Sequence, residues 1–152
     1  MVGINLVENI KMNYKIQKNT ENINWTKVEE LLSHFGLSNL DAKTQQKVFQ
    51  QSYAVVFLFD EEQLIGFGRA ISDGICQAAL YNIALDKKYH GKGLGKEIVN
   101  QLIMQVKQCN IILYTHPNTV SLYENLGFCK MKTGMAMYQK DHLEELKNMN
   151  FI

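Results

Sequence analysis

The chain has 152 residues, 46% of them hydrophobic, and a net charge of +1 from 16 Lys plus Arg against 15 Asp plus Glu. That length supports one domain with a sizeable core, so residues 1–152 are expected to form a single domain. The near-neutral balance excludes a whole-protein field for nucleic acid, and no apolar run approaches the roughly 20 residues of a membrane span.

Met1 to Ile10 has no basic segment leading into a long apolar stretch, so a soluble, cytoplasmic protein is expected. Cys76, Cys109 and Cys129 are odd in number and widely spaced, without the paired C-x-x-C pattern of a zinc site. They read as reduced cysteines, mostly in the core, and no metal is expected.

In chain order, Ile10 to Gln17 alternates as a first strand. Asn24 caps a helix from Trp25 to Phe35 that ends at Gly36, with Trp25, Val28, Leu31, Leu32 and Phe35 on one face. Asp41 caps a second helix running to about Gln51. Tyr53 to Phe59 is a buried strand, Asp60 to Gln63 a polar turn, and Leu64 to Ile71 the return strand of a hairpin. Ser72, Asp73 and Gly74 turn the chain into a third antiparallel strand, Gln77 to Asp86.

That strand enters a loop with Gly91, Gly93 and Gly95, and an amphipathic helix from Leu94 to Val106 leaves it. Ile111 to Thr115 is a short core strand. Pro117 opens a helix from about Asn118 to Leu126, closed by Gly127. Phe128 to Tyr138 supplies one or two closing strands, with Met131, Met135 and Met137 alternating into core or pocket wall. Asp141 to Met149 forms a polar terminal helix.

The glycine loop points to an anion. The first N–H groups of a helix have no intrahelical partner and sit at the positive end of the helix dipole. Glycines there let a ligand reach the backbone, and Lys87, Lys88, Lys92 and Lys96 add charge. A phosphate or pyrophosphate follows. The spacing is one residue short of a P-loop, with Glu97 where a magnesium-binding hydroxyl should stand. It also fails the Gly-x-Gly-x-x-Gly dinucleotide pattern at the third glycine.

The run His90-Gly91-Lys92-Gly93-Leu94-Gly95 resembles the Gln/Arg-x-x-Gly-x-Gly/Ala signature of the GNAT N-acetyltransferases, departing from it at His90. Downstream, Asn118-Thr-Val-Ser-Leu-Tyr123-Glu-Asn-Leu-Gly127-Phe128 resembles the last motif of the same family. Arg69 to Gly74 and the order of these elements look most like its small amine acetyltransferases. The resemblance covers roughly Tyr53 to Tyr138.

The resemblance implies an α/β (α+β) fold with a mixed, mostly antiparallel sheet flanked by helices and splayed between the Gln77 and Ile111 strands. It also implies an acetyl-CoA-dependent transfer of the acetyl group directly to a primary amine, small molecule or peptide, within a ternary complex. A homodimer is implied by analogy. The coenzyme would lie along Ile83, Ala84 and Leu85 and against His90, Gly91, Lys92, Gly93, Leu94, Gly95 and Lys96, with Asn118 nearby. His90 would make that binding weaker or pH-dependent.

A main-chain N–H near Ile83 would hold the oxyanion. Tyr123, a phenol with an ordinary pKa of about 10, would protonate the departing thiolate. The amine must first lose a proton, to a base or a water chain, and His116 first and Asp73 second are the candidate bases. A non-catalytic acyl-CoA-binding sensor is the alternative reading.

Overall fold

The computed structural model describes residues 14–152, which divide into two compact units at Leu113 and Tyr114. Met1 to Asn13, including the first part of the strand expected from Ile10, lie outside the described residues.

The first unit is a five-stranded sheet in the order β1 (Tyr14–Gln17), β2 (Ala54–Asp60), β3 (Gln63–Ser72), β4 (Gln77–Leu85), β5 (Asn110–Ile112). The first three pairings are antiparallel and the last is parallel. A parallel neighbour needs a crossover, which α3 (Leu94–Gln105) provides between β4 and β5. The expected mixed, mostly antiparallel sheet flanked by helices is what forms.

Helix α1 (Trp25–His34) starts where Asn24 accepts a hydrogen bond from the Lys27 N–H at 3.1 Å. Helix α2 (Ala42–Gln50) starts where Asp41 accepts from Thr44 at 2.8 Å. Their apolar faces cover one side of the sheet. Val28, Leu31 and Leu32 of α1 and Phe49 of α2 join Val55, Phe57, Phe67 and Ala84 in one buried cluster. Phe49 is its hub, with ring centroids 5.6 Å from Phe57, 5.7 Å from Phe67 and 5.8 Å from Trp25.

Helix α3 lies on the other face, burying Leu94, Ile98, Val99 and Leu102. It approaches closely because β3 carries glycines beneath it. A methyl group at Gly66 would sit 2.9 Å from the Ile98 Cδ1, and one at Gly68 would sit 2.9 Å from the Leu102 Cδ1.

Strand β4 has two features that position the site. Its ladder with β5 covers only Gln77 to Ala79, so the two strands part company well before β4 ends at Leu85. Opposite β3 the register slips between Phe67 and Arg69, and Asn82 takes a left-handed φ of 54° inside the strand. Asn82 and Ile83 together face Gly68, which is the two-against-one arrangement of a β-bulge.

The second unit, Tyr114–Ile152, contains a 3₁₀ turn at Pro117–Thr119, α4 (Val120–Asn125), a second 3₁₀ turn at Lys140–His142 and α5 (Leu143–Asn148). Within it Tyr114 packs edge-on against Tyr138 and Phe151.

Three sequence expectations are corrected. No strand forms over Phe128 to Tyr138. Met135 and Met137 are 99% and 100% exposed there, so their alternation finds no surface to bury against and no ladder to complete it. Strand β5 is Asn110–Ile112, ending short of Thr115. The cysteines are not core residues: Cys76 and Cys129 are exposed and Cys109 is half-buried, all three as free thiols.

Candidate functional site

In the first unit the site grows from the end of β4. Ala84 and Leu85 are buried and Ile83 is half-buried. Asp86 leaves the strand with its N–H donating to the Ile65 carbonyl at 2.7 Å. Its carboxylate accepts from the Lys88 N–H at 3.1 Å and from the Lys27 ammonium of α1 at 3.2 Å. The Lys88 bond first, and the Lys27 charge after it, hold the Asp86 carboxyl below its ordinary value. A short 3₁₀ turn, Lys87–Tyr89, follows. Its Tyr89 hydroxyl donates to the Asp60 carboxylate at 2.6 Å, which, with burial second, pushes the phenol up to about 12.

His90 comes next and faces back into the fold. Its Nε2 lies 2.7 Å from the Leu85 carbonyl, and its ring stacks on Phe35 just beyond α1. A carbonyl can only accept, so Nε2 carries a proton. The ring thereby ties the base of the glycine loop to β4 and to α1.

Gly91 and Gly93 take φ values of 80° and 78°, the left-handed region open to glycine. Gly93 is the residue from which α3 departs, and no side chain caps that end. A methyl group at Gly91, Gly93 or Gly95 would meet nothing within 4 Å. The first turn of α3 thus presents main-chain N–H groups to open space, as a pyrophosphate needs. Leu94 is buried beneath the loop, Lys96 is exposed, and the Lys92 ammonium lies 5.5 Å from the centre of the Tyr89 ring. Such an opening suits an anionic phosphate group.

Asp73 lies in the exposed turn before β4. Its Oδ1 accepts from the N–H groups of Ile75 and Cys76 at 2.8 Å and of Gln77 at 3.2 Å, and its Oδ2 accepts from the Cys76 thiol at 3.1 Å. The Ile75 bond and then the Cys76 thiol bond hold this carboxyl far below the ordinary range, and the same contact pushes the Cys76 thiol up. A carboxylate this stabilised is a poor proton acceptor.

In the second unit, His116 caps the Pro117 turn. Its Nδ1 accepts from the Asn118 N–H at 3.2 Å, and its ring meets Phe151 edge-on at 5.8 Å. With Nδ1 engaged as an acceptor, the neutral ring holds its proton on Nε2. Asn118 is exposed in the same turn. Tyr123, on α4, packs edge-on against Phe128 at 5.8 Å, and burial raises its pKa above the ordinary phenol value.

Sequence reasoning missed Asn82 and the role of Arg69. The Arg69 Nε donates to the Asn82 Oδ1 at 2.5 Å, and its guanidinium lies over the Tyr81 ring at 5.3 Å. The available signal was an asparagine, a residue depleted in strands and tolerant of positive φ, in the middle of an apolar strand. Among the described residues no cluster of metal-ligating side chains occurs.

Residues 18–144 match the family model described as an acetyltransferase (GNAT) domain. The chain is 32% identical over 124 residues to the uncharacterized N-acetyltransferase ycf52 of Porphyra purpurea, covering 77% of this chain and 71% of that protein. It is 28% identical over 127 residues to the chloroplastic GCN5-related N-acetyltransferase 1 of Arabidopsis thaliana, covering 80% and 64%. Among solved structures, a putative acetyltransferase of Deinococcus radiodurans R1 shares the fold with a TM-score of 0.75 at 20% identity, over 86% of this chain and 91% of that one. With residues 18–144 matched and a relative at 32% identity over 77% of this sequence, the chain belongs to the GNAT family of acetyltransferases.

Proposed function

We propose that the protein transfers the acetyl group of acetyl-CoA directly to a primary amine, on a small molecule or a peptide, within a ternary complex. The observation that carries this reading is the uncapped start of α3 behind Gly91 and Gly93, placed at the end of a β4 strand that has already parted from β5. The loop holds the pyrophosphate, and the open edge from Ile83 to Leu85 receives the pantetheine arm. The Ile83 N–H stabilises the oxyanion as the amine attacks. Tyr123, kept protonated by its burial, gives its proton to the departing thiolate. Asp73 and His116 are committed to the turns they cap, so the amine proton leaves to solvent.

The match from residue 18 to 144 runs through both units and supports one catalytic domain. A homodimer and a cytoplasmic location complete the reading. The free thiols are compatible with a reducing compartment, and the Arabidopsis relative carries a chloroplast designation.

The test follows loss of the thioester absorbance with a panel of primary amines. Intersecting initial-velocity lines for one amine class are expected, and parallel lines would replace direct transfer by an acyl-enzyme. Tight acetyl-CoA binding with no amine acetylated would favour the sensor reading.

A further inference from the structure

The β4 bulge is not held by its ladder alone. Asn82 sits at φ 54°, a left-handed torsion that a residue inside a strand keeps only where its surroundings enforce it. The Arg69 side chain, half-buried on β3 and paired across the ladder with the neighbouring Tyr81, supplies that hold. Its Nε donates to the Asn82 Oδ1 at 2.5 Å and its Nη1 donates to the Ser52 Oγ at 3.3 Å. The Ser52 hydroxyl in turn donates to the Val48 carbonyl of α2 at 2.9 Å, and the guanidinium plane is backed by the Tyr81 ring. A chain of hydrogen bonds thus runs from the end of α2 to the one residue whose torsions decide where the next peptide points. That next peptide carries the Ile83 N–H.

We infer that Arg69 is a positioning residue for acetyl transfer, aiming the Ile83 N–H at the acetyl carbonyl by clamping Asn82. This rests on the functional reading above, in which that N–H is the oxyanion donor. A guanidinium is suited to the task because its planar fork serves Asn82 and Ser52 at once, which a lysine ammonium cannot do in the same fixed geometry. Asn82 suits its position because it tolerates positive φ and also supplies the acceptor.

The experiment uses the full chain with acetyl-CoA labelled with ¹³C at the carbonyl, so that no acceptor amine is required. A carbonyl drawn into a hydrogen bond moves downfield on binding. The expected result is a downfield bound resonance with the native protein. With Arg69→Met it returns toward the free position while the acetyl-CoA Kd changes less than about 3-fold, and Arg69→Lys restores it in part. Asn82→Gly keeps the left-handed torsion without the acceptor, and combined with Arg69→Met it adds little to either change alone. With an active amine, kcat falls about 10- to 100-fold in Arg69→Met while KM for acetyl-CoA holds. An unshifted bound resonance in a folded Arg69→Met protein overturns the clamp and leaves the acetyltransferase reading intact. No bound resonance with the native protein overturns both.

Discussion

His90 lies stacked on Phe35, with ring centroids 5.9 Å apart and planes inclined by 19°, while its Nε2 donates to the Leu85 carbonyl at 2.7 Å. The residue that departs from the family signature is therefore a latch beneath the glycine loop. His90→Ala is expected to weaken acetyl-CoA binding about 5-fold, the equivalent of one hydrogen bond at about 1 kcal/mol. His90→Gln, whose amide can still donate to Leu85, loses less. Isothermal titration calorimetry of the native protein and the two variants checks both.

The two glycines that look alike in the sequence differ in the fold. Gly93 has φ 78° and Gly95 does not have positive φ. Gly93→Ala is expected to cost about 1 kcal/mol of stability and to weaken acetyl-CoA binding. Gly95→Ala lies inside α3 with no neighbour within 4 Å, so it should gain about 0.5 kcal/mol and keep binding. Thermal unfolding with and without acetyl-CoA separates the pair.

Tyr123→Phe should lower kcat about 100-fold while leaving stability and acetyl-CoA binding near native, because the ring still packs on Phe128. The native phenol has a pKa above about 10, raised by burial, and acts as an acid only while protonated. Activity should therefore persist as pH rises through the ordinary tyrosine range and fall only beyond it. A pH–rate profile that loses the high-pH limb in Tyr123→Phe supports the assignment, and an unchanged kcat removes it.

Asp73 and His116 should prove structural. His116→Asn preserves a side-chain acceptor for the Asn118 N–H and is expected to keep kcat within about 3-fold, against the 100-fold or greater loss that removal of a base brings. Asp73→Ala should lower stability at neutral pH. The folded carboxyl titrates below the unfolded value of about 3.9, so its contribution is complete above that pH and is lost as pH falls toward the folded pKa. Denaturant unfolding of the two proteins should differ at pH 7 and converge in acid.

Local patterns were enough for much of the fold. Asn24 and Asp41 cap their helices because a short side-chain acceptor before an amphipathic run has one obvious partner, the N–H three residues on. The hairpin and the three-stranded run from Ala54 to Leu85 followed from apolar segments bounded by polar turns. The turn at Gly91 and Gly93 was legible because left-handed torsions ahead of a helix are written in glycine spacing.

What the sequence could not decide were the features set by partners distant in the chain. The alternation of Met131, Met135 and Met137 describes a strand only if another strand lies alongside, and none does over those residues. Asp73 and His116 looked like bases because both carry proton-accepting atoms. Whether those atoms are free depends on backbone N–H groups whose direction only the folded turn defines. Asn82 drew no notice as a residue. It becomes decisive because the slip in register between β3 and β4 puts it in a bulge, where Arg69 reaches its side chain. Residue types and spacing determined which chemistry the chain can carry, and tertiary structure decided how its polar atoms are placed, because hydrogen-bond partners distant in the chain or set by a folded turn fix where each lone pair and N–H points.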